Sequence, residues 1–338
     1  MRIALVSSSY VDHKRSVKEH AIEARAIELA RLGHEVHVLT TRSPKVRCEI
    51  NDGVTVHYLE GEPGRWTEMF AHECLVLCRA LKPRILHLED FEPTLPFWLD
   101  KQIEAAAVAT TLQETLAGWA GTVAMLQKSG KLPDKLKGTI LESRLRAEQD
   151  AIESFQHVIV TCARDLIRYD SLFPGNKPEL IYNPIASRFF RPKSERLHQG
   201  FYLLVGSKLT WKYGSRDAEQ AAYAVGAGLQ VITQSRPEKV PGFMDACKGV
   251  IVPSFSQWGL SMSACEALAR CRPAICYAPS GACYESKWGL DGIVSVPAGD
   301  TGALIEELNK PLPVVHSGAA DAFRPEVHAT RWLEAMDV

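Results

Sequence analysis

Residues 250–276 constrain the fold of this chain more than any other stretch, because they predict a strand, a helix and a second strand in succession. Residues 250–252 are three consecutive β-branched residues, a pattern typical of a parallel strand that is covered on both faces. Pro253 ends this strand, and Gly259 permits a tight turn before the helix. The apolar run 274–277 is the next strand. Such a unit predicts a parallel α/β sheet.

Glu266 lies in the predicted helix of this unit, near the carboxyl end of the preceding strand. Ser261 and Ser263 are suitable caps for that helix. Open α/β sheets bind their ligands at the carboxyl ends of the strands. A carboxylate there can accept two hydrogen bonds from a ribose diol, which makes Glu266 a candidate nucleotide contact. The alternative is an ordinary βα unit with a solvated glutamate.

Length and composition fit a two-domain globular protein. A chain of 338 residues, with 46% hydrophobic and 23% charged residues, can bury two cores. The formal net charge of −1 gives no globally basic surface for nucleic acid. The nine cysteines match no zinc pattern, so we expect buried thiols and no metal. With neither a signal peptide nor a spanning apolar run, the sequence predicts a cytoplasmic protein.

Strands and helices alternate through two halves of the chain. The predicted strands are 3–6, 36–39, 54–59, 84–88, 108–112 and 158–161 in the first half, and 202–205, 230–233, 250–252, 274–277 and 293–296 in the second. We predict an N-terminal domain over 1–190, a C-terminal domain over 191–320, and a helical segment over 321–338 that packs back on the first domain.

The first predicted βαβ unit contains a helix over 17–32. Ile22, Ala26 and Leu29 recur at helical spacing and form its buried face. We place the charged residues of this helix, Glu19 and Arg25 among them, elsewhere on its surface.

The stretch 253–273 resembles the donor-binding motif of retaining GT-B glycosyltransferases of the group 1, family 4-like kind. Four parts of that motif are present without a gap: Pro253-Ser254, Gly259, Glu266-Ala267-Leu268-Ala269 and Pro273. Trp258 stands in place of the family's first Glu, and Ser261 in place of a second Gly. The resemblance implies the GT-B fold, in which two Rossmann-like domains face an interdomain cleft.

A second stretch, 203–214, resembles the phosphate-binding loop of the same family. Gly206 and Lys212 occupy the family's positions, whereas Ser207 stands where Arg is usual, beside Lys208. The resemblance implies that Lys208 and Lys212 hold the donor diphosphate and stabilise the charge that develops on it. The alternative for Lys212 is an exposed lysine.

The N-terminal half resembles the family through residues 32–40 but departs from it at the sugar. The family's glycine pair is replaced by Arg15 and Ser16, and Arg15 is either a phosphate contact or a solvated loop residue. Gln113 stands where the family has a His that contacts the transferred sugar. Glu114 follows it and can orient an acceptor hydroxyl. His87 and His13 are candidate substitutes, although a lone His is more often structural.

Together, these matches imply a metal-independent, hexosyltransferase-like enzyme that moves a sugar from a UDP- or GDP-sugar to an acceptor with retention of configuration. No separate cofactor is implied. The predicted catalytic residues are Gln113, Glu114 and Lys212. The predicted donor-binding residues are Arg15, Ser16, Gly206, Ser207, Lys208, Lys212, Trp258, Gly259, Leu260 and Glu266.

Three other functions stay open. The replaced sugar contacts suit a non-catalytic GT-B protein that holds a nucleotide or sugar, and a nucleotide-sugar epimerase shares the fold. Residues 210–214 resemble the phosphate motif of a phage-type DNA glucosyltransferase, although the near-neutral charge disfavours nucleic acid.

The lysines between Lys128 and Lys137 are either a solvated face or a peripheral membrane contact. The sequence indicates no oligomeric state.

Overall fold

The computed structural model describes residues 1–11, 13, 17–42, 48–89, 103–112, 123, 127–128, 130, 142–172, 177–190, 201–205, 214–232, 237–255, 260–278, 283 and 290–337.

The first half forms one eight-stranded sheet with helices between its strands. Its strands are β1 (Arg2–Val6), β2 (Glu35–Thr41), β3 (Cys48–Asn51), β4 (Val54–Leu59), β5 (Ile85–Leu88), β6 (Ala107–Leu112), β7 (His157–Val160) and β8 (Glu179–Leu180). Its helices are α1 (Val17–Arg31), α2 (Glu68–Leu81), α3 (Glu142–Glu153) and α4 (Ala163–Leu172). The strand order is β3-β4-β2-β1-β5-β6-β7-β8.

The second half forms a five-stranded sheet. Its strands are β9 (Phe201–Val205), β10 (Gly228–Ile232), β11 (Gly249–Val252), β12 (Ala274–Ala278) and β13 (Ile293–Pro297), in the order β10-β9-β11-β12-β13. Its helices are α5 (Ser215–Ala224), α6 (Val240–Ala246), α7 (Met262–Ala269) and α8 (Thr301–Asn309), and α9 (Pro325–Ala335) follows. Short 3-10 helices cover Ser187–Phe190, Pro237–Lys239 and Asp321–Phe323.

Every strand pair is parallel except β3–β4, which is an antiparallel hairpin. Asp52 and Gly53 connect its strands with positive φ angles of 49° and 84°, the combination that a tight hairpin turn requires. The sequence Asn51-Asp52-Gly53 predicts such a turn before the strand 54–59, and the structure confirms it. The sequence did not predict β3, because its apolar and polar alternation spans only four residues.

Each sheet is covered on both faces, as its β-branched strands predict. Along β1, Ile3 and Leu5 enter the core under α1, whereas Ala4 and Val6 enter the core under α2, α3 and α4. The second sheet packs α6 and α7 on one face, and α5 and α8 on the other. The two parallel α/β sheets confirm the predicted fold class of two Rossmann-like domains.

Helix α9 belongs to the core of the first sheet, although it comes after the second sheet in the chain. Trp332, Ala329 and Met336 are buried with Ile22 and Leu29 of α1. The first sheet therefore completes one of its two cores with residues from beyond the second sheet. The domain boundaries given above stay predictions.

Among the described residues, no helix combines the length and hydrophobicity needed to cross a membrane. The same part of the chain contains no cluster of three or more His, Cys, Asp or Glu side chains that could hold a metal ion.

Candidate functional site

Only two of the predicted site residues, Leu260 and Glu266, lie in the described part of the chain. The predictions that fall outside it are Arg15, Ser16, Gln113, Glu114, Gly206, Ser207, Lys208, Lys212, Trp258 and Gly259. The elements that flank those residues are described, and they show where the site lies.

Glu266 lies on α7, which follows the central strand β11 of the second sheet. It sits in the second turn of this eight-residue helix rather than at its start. Ser261 occupies the N-cap position, but its side chain makes no capping hydrogen bond, and Ser263 lies inside the helix. The prediction that these serines cap α7 through their side chains is therefore wrong. The backbone carbonyl of Ser261 instead accepts from the Ala264 and Cys265 N–H groups.

The carboxyl group of Glu266 is in an unusual electrostatic environment. Burial raises its pKa to about 7, and the positive charge of Arg188 opposes that rise. Arg188 belongs to the 3-10 helix Ser187–Phe190, which packs on α7. Around α7, Leu260, Met262 and Leu268 fill the core. Glu266 is thus a titratable group beside an apolar core, with one cation near it and its residue partly exposed.

A second element reaches the same edge of the sheet. Gly214 is the N-cap of α5 with a φ of +54°, and a Cβ at this position would lie 2.5 Å from the carbonyl oxygen of Pro253. Pro253 directly follows β11. The start of α5, which Lys212 precedes by two residues in the sequence, therefore touches the segment that leads to Glu266. The structure thus brings the end of the motif 203–214 and the beginning of the motif 253–273 together at the carboxyl edge of the second sheet.

The carboxyl edge of the first sheet is also polar and buried. Ser7, Ser8 and Ser9 follow β1 and are nearly inaccessible. The Ser9 hydroxyl donates to Glu19 Oε1 at 2.5 Å, so Glu19 faces this loop and is 1% exposed. The prediction that Glu19 lies away from the buried face is wrong, because its carboxylate is needed to accept from the loop after β1.

A fully buried ion pair lies behind that edge. Arg25 of α1 and Glu89, which follows β5, are 0% and 1% exposed and form a direct salt bridge. Arg25 is therefore on the buried face of α1, against our expectation. Its spacing from Ile22, Ala26 and Leu29 is a signal that the sequence did contain, since position 25 falls between them on the same helical stripe. In the structure, Arg25 Nη2 and Glu89 Oε2 have no hydrogen-bond partner.

Hydrogen bonds surround His87 beside this pair. Trp332 Nε1 donates to His87 Nδ1 at 3.2 Å. His87 Nε2 lies 2.8 Å from Thr111 Oγ1 and 3.3 Å from Arg25 Nη1. His87 is completely buried, and burial together with the charge of Arg25 holds its pKa well below 6.5. His87 is thus a neutral core residue, which argues against its serving as the missing sugar contact.

Hydrogen bonds on both ring nitrogens also hold His328 on α9. Arg25 Nε donates to His328 Nε2 at 2.7 Å, so the ring proton lies on Nδ1. Nδ1 is 2.7 Å from the carbonyl oxygen of Tyr182, which accepts it. Burial first, and then the charge of Arg25, hold the His328 pKa well below 6.5. The ion pair of the first sheet is therefore joined to α9 directly through His328, and through His87 to Trp332.

His13, the other candidate substitute, contacts the loop after β2. Its Nδ1 accepts from the Tyr10 backbone N–H at 3.2 Å, and its Nε2 lies 3.2 Å from the Arg42 carbonyl oxygen. These bonds hold the β1 loop to the end of β2, which is a structural role.

Comparisons with known proteins agree with this architecture. Residues 20–183 match the family model of the glycosyl transferase 4-like domain. No curated protein sequence matches the chain significantly.

Among solved structures, the chain is similar to sucrose-phosphate synthase from Thermosynechococcus elongatus, with 16% identity, a TM-score of 0.74, and coverage of 99% of this chain and 94% of that chain. HepE from Anabaena, in complex with UDP and glucose, is 11% identical with a TM-score of 0.71, covering 100% and 99%. The catalytic domain of starch synthase IV from Arabidopsis thaliana, bound to ADP and acarbose, is 12% identical with a TM-score of 0.67, covering 100% and 99%. At these identities the likeness establishes the fold. The chain therefore has the GT-B fold, and its residues 20–183 match the glycosyl transferase 4-like domain.

Proposed function

We propose that this chain transfers a sugar from a nucleoside-diphosphate sugar to an acceptor, without a metal ion and with retention of anomeric configuration. The observation that carries the proposal is Glu266: a partly exposed carboxyl group near the carboxyl edge of the second sheet, with a pKa raised to about 7. The solved structures of HepE and starch synthase IV hold UDP and ADP, respectively, which supports a nucleotide in a site of this fold.

In this proposal the second sheet binds the donor. Glu266 accepts hydrogen bonds from the ribose diol, while Lys208 and Lys212 neutralise the diphosphate. Gln113 contacts the sugar, and Glu114 orients the acceptor hydroxyl. The acceptor oxygen bonds to the anomeric carbon as the bond from that carbon to the diphosphate breaks, and the acceptor proton passes to the departing diphosphate. The protein supplies position and positive charge rather than a nucleophile.

A non-catalytic protein that holds a nucleotide or sugar is the second candidate. It is favoured by Gln113 and Trp258, which replace a His and a Glu of the family motif. Location in the cytoplasm, a membrane contact between Lys128 and Lys137, and the oligomeric state stay open.

The experiment is a thermal-shift panel of UDP, GDP, ADP and their glucose conjugates, followed by titration calorimetry on any that bind. A ligand at 100 times its Kd adds about 2.7 kcal/mol to the free energy of unfolding. We expect one nucleoside diphosphate to bind, and its sugar conjugate to yield a glycosylated product with the donor's anomeric configuration by mass spectrometry and NMR. Binding without transfer or donor hydrolysis selects the non-catalytic protein. Inversion of configuration contradicts the proposed mechanism.

Lys212→Ala tests the diphosphate contact. It should weaken nucleoside diphosphate binding by about 1.5–3 kcal/mol, because a charge-assisted hydrogen bond is lost. Lys310→Ala is the matched control, since Lys310 is an exposed lysine at the far end of α8, paired with Glu307. Helices between parallel strands begin near the carboxyl edge and end near the opposite edge, which places Lys310 away from the site. Equal affinities for the two variants would remove Lys212 from the proposed site.

A further inference from the structure

We propose that Tyr277 is a positioning residue for the donor site, because its hydroxyl holds the first turn of α5, through Asp217, against the carboxyl edge of the second sheet. This inference rests on the proposed function, since the position of α5 affects the donor only if the nucleoside diphosphate binds at this edge.

The hydrogen bond itself is short and enclosed. Tyr277 lies in β12 and is 1% exposed, and its hydroxyl donates to Asp217 Oδ2 at 2.6 Å. Asp217 is the third residue of α5 and is 6% exposed. Burial and the neighbouring Asp217 raise the Tyr277 pKa, so the phenol keeps its proton and stays a donor.

The ring of Tyr277 also limits the space at the start of the same helix. A Cβ on Gly214 would lie 3.0 Å from Tyr277 Cε2 as well as 2.5 Å from the Pro253 carbonyl oxygen. On another side, Phe255 packs edge-on against the Tyr277 ring with a centroid distance of 5.3 Å. Tyr277 therefore contacts α5 through its hydroxyl and its ring, and contacts the segment after β11 through Phe255.

This arrangement has a consequence for an anion at the edge. The first turn of a helix presents free N–H groups that suit a phosphate, but only if the helix start is correctly placed. Asp217 is a carboxylate in that same turn, so its charge would oppose a diphosphate. A proton donated by Tyr277 stabilises this charge and fixes it on the side facing β12. Tyr277 thus keeps the helix start positioned without touching the donor.

The test compares Tyr277→Phe with Tyr202→Phe. Tyr202 is a matched control in the same sheet, because its buried hydroxyl donates to the Leu308 carbonyl oxygen at 3.1 Å. It lies near the start of β9, at the edge opposite the site. Each variant loses one buried hydroxyl, so we expect similar decreases in Tm. Only Tyr277→Phe should weaken UDP, GDP or ADP binding, by roughly three- to tenfold in Kd. In turnover, we expect the donor KM to rise by the same factor with kcat little changed.

Two further measurements separate this inference from the proposed function. Amide hydrogen exchange of residues 214–218, in the absence of ligand, should be faster in Tyr277→Phe and unchanged in Tyr202→Phe. If the wild-type chain binds no nucleoside diphosphate, the proposed function fails, while faster exchange still supports the positioning of α5. Unchanged exchange, or equal Kd values for the two variants, overturns the role of Tyr277.

Asp217→Ala provides a second test, because the same helix turn can be released from either side of the hydrogen bond. If Tyr277 acts through Asp217, the Tyr277→Phe and Asp217→Ala changes must not be additive. We expect the double variant to bind the nucleotide no more weakly than Asp217→Ala alone. Additive losses would show that Tyr277 acts independently of Asp217 and would overturn the inference.

Discussion

At the scale of single residues, the structure buries charged side chains, which lose hydration energy. Arg25 and Glu89 are removed from water, and Glu266 is partly so, which costs each of them hydration energy. The sequence pattern identified Glu266, because the motif around it is local. The pattern put Arg25 away from the buried face of α1, because a charged residue next to an apolar stripe is expected in solvent. Only its distant partner, Glu89, explains why it is buried.

Glu266→Gln should stabilise the protein at high pH while impairing nucleotide binding. The pKa of Glu266 rises from 4.5 to about 7 on folding, so its contribution is fully present below pH 4.5 and is lost as the pH rises through 7. The neutral variant avoids this loss, which is at most about 3 kcal/mol for a shift of this size. Urea unfolding at pH 5 and pH 8 measures the free energy of unfolding of both proteins. If the difference between variant and wild type does not increase with pH, the prediction is wrong.

Gly214→Ala should destabilise the chain more than Gly226→Ala, although both glycines have positive φ angles, +54° and +65°. At Gly226 a Cβ would meet nothing within 4 Å, so only the backbone penalty of about 1–2 kcal/mol applies. At Gly214 the Pro253 carbonyl lies in the way, and either α5 or β11 must shift. Chemical denaturation of both variants gives the comparison, and equal losses would show that the contact with Pro253 is easily relieved.

At the scale of elements, α9 is joined to the first sheet by polar as well as apolar contacts. His328 and Trp332 from this helix reach Arg25 and His87, while Ala329 and Met336 fill the apolar core. The periodicity of residues 325–336 predicted the helix, but it contained no information on its polar partners, which are more than 200 residues away.

Acid should weaken this junction. The pKa of His328 is depressed on folding, so its contribution to stability is fully present above pH 6.5 and is lost as the pH falls. His328→Gln retains an acceptor for Arg25 and a donor for the Tyr182 carbonyl, but it cannot take up a proton. We expect the variant to lose less unfolding free energy than the wild type between pH 7 and pH 5. His316→Gln, at an exposed position, should follow the wild type. If all three proteins lose the same unfolding free energy between pH 7 and pH 5, the prediction is wrong.

Other elements show where sequence patterns lose information. All strands except β3 and β8 were predicted within one or two residues at each end, because buried parallel strands are short apolar runs between turn residues. The sequence did not predict α6, since it opens with Val240-Pro241-Gly242, which reads as a turn. Proline is nevertheless tolerated in the first turn of a helix, where its missing N–H has no partner to lose.

At the scale of the whole molecule, the cysteines behave as core residues. The eight cysteines with described side chains are buried and form no disulfide with one another, and burial raises the pKa of Cys78 and Cys247 to about 12. The irregular spacing in the sequence predicted this. The donor site itself could be predicted only through its motifs, because most of its predicted residues fall between the apolar runs that predict strands and helices.

The native protein should therefore react slowly with a thiol reagent such as DTNB at pH 8. Reaction requires an accessible thiolate, and burial disfavours both exposure and ionisation. We expect the eight buried thiols to react slowly in the native protein, and all nine cysteines to react after unfolding in guanidinium chloride. Two or more fast thiols in the native protein would show that one of the buried clusters opens readily.

The position of Trp332 also governs when this protein can fold during synthesis. His87 and Trp332 are 245 residues apart along the chain. A ribosome that adds about 5–20 residues per second needs roughly 12–50 s to proceed from one to the other. Throughout that interval the nascent first sheet lacks part of one core, and the buried pair of Arg25 and Glu89 lacks its cover. The N-terminal half thus exposes part of an apolar core until α9 emerges, and termination before Pro325 would remove core residues of the first sheet.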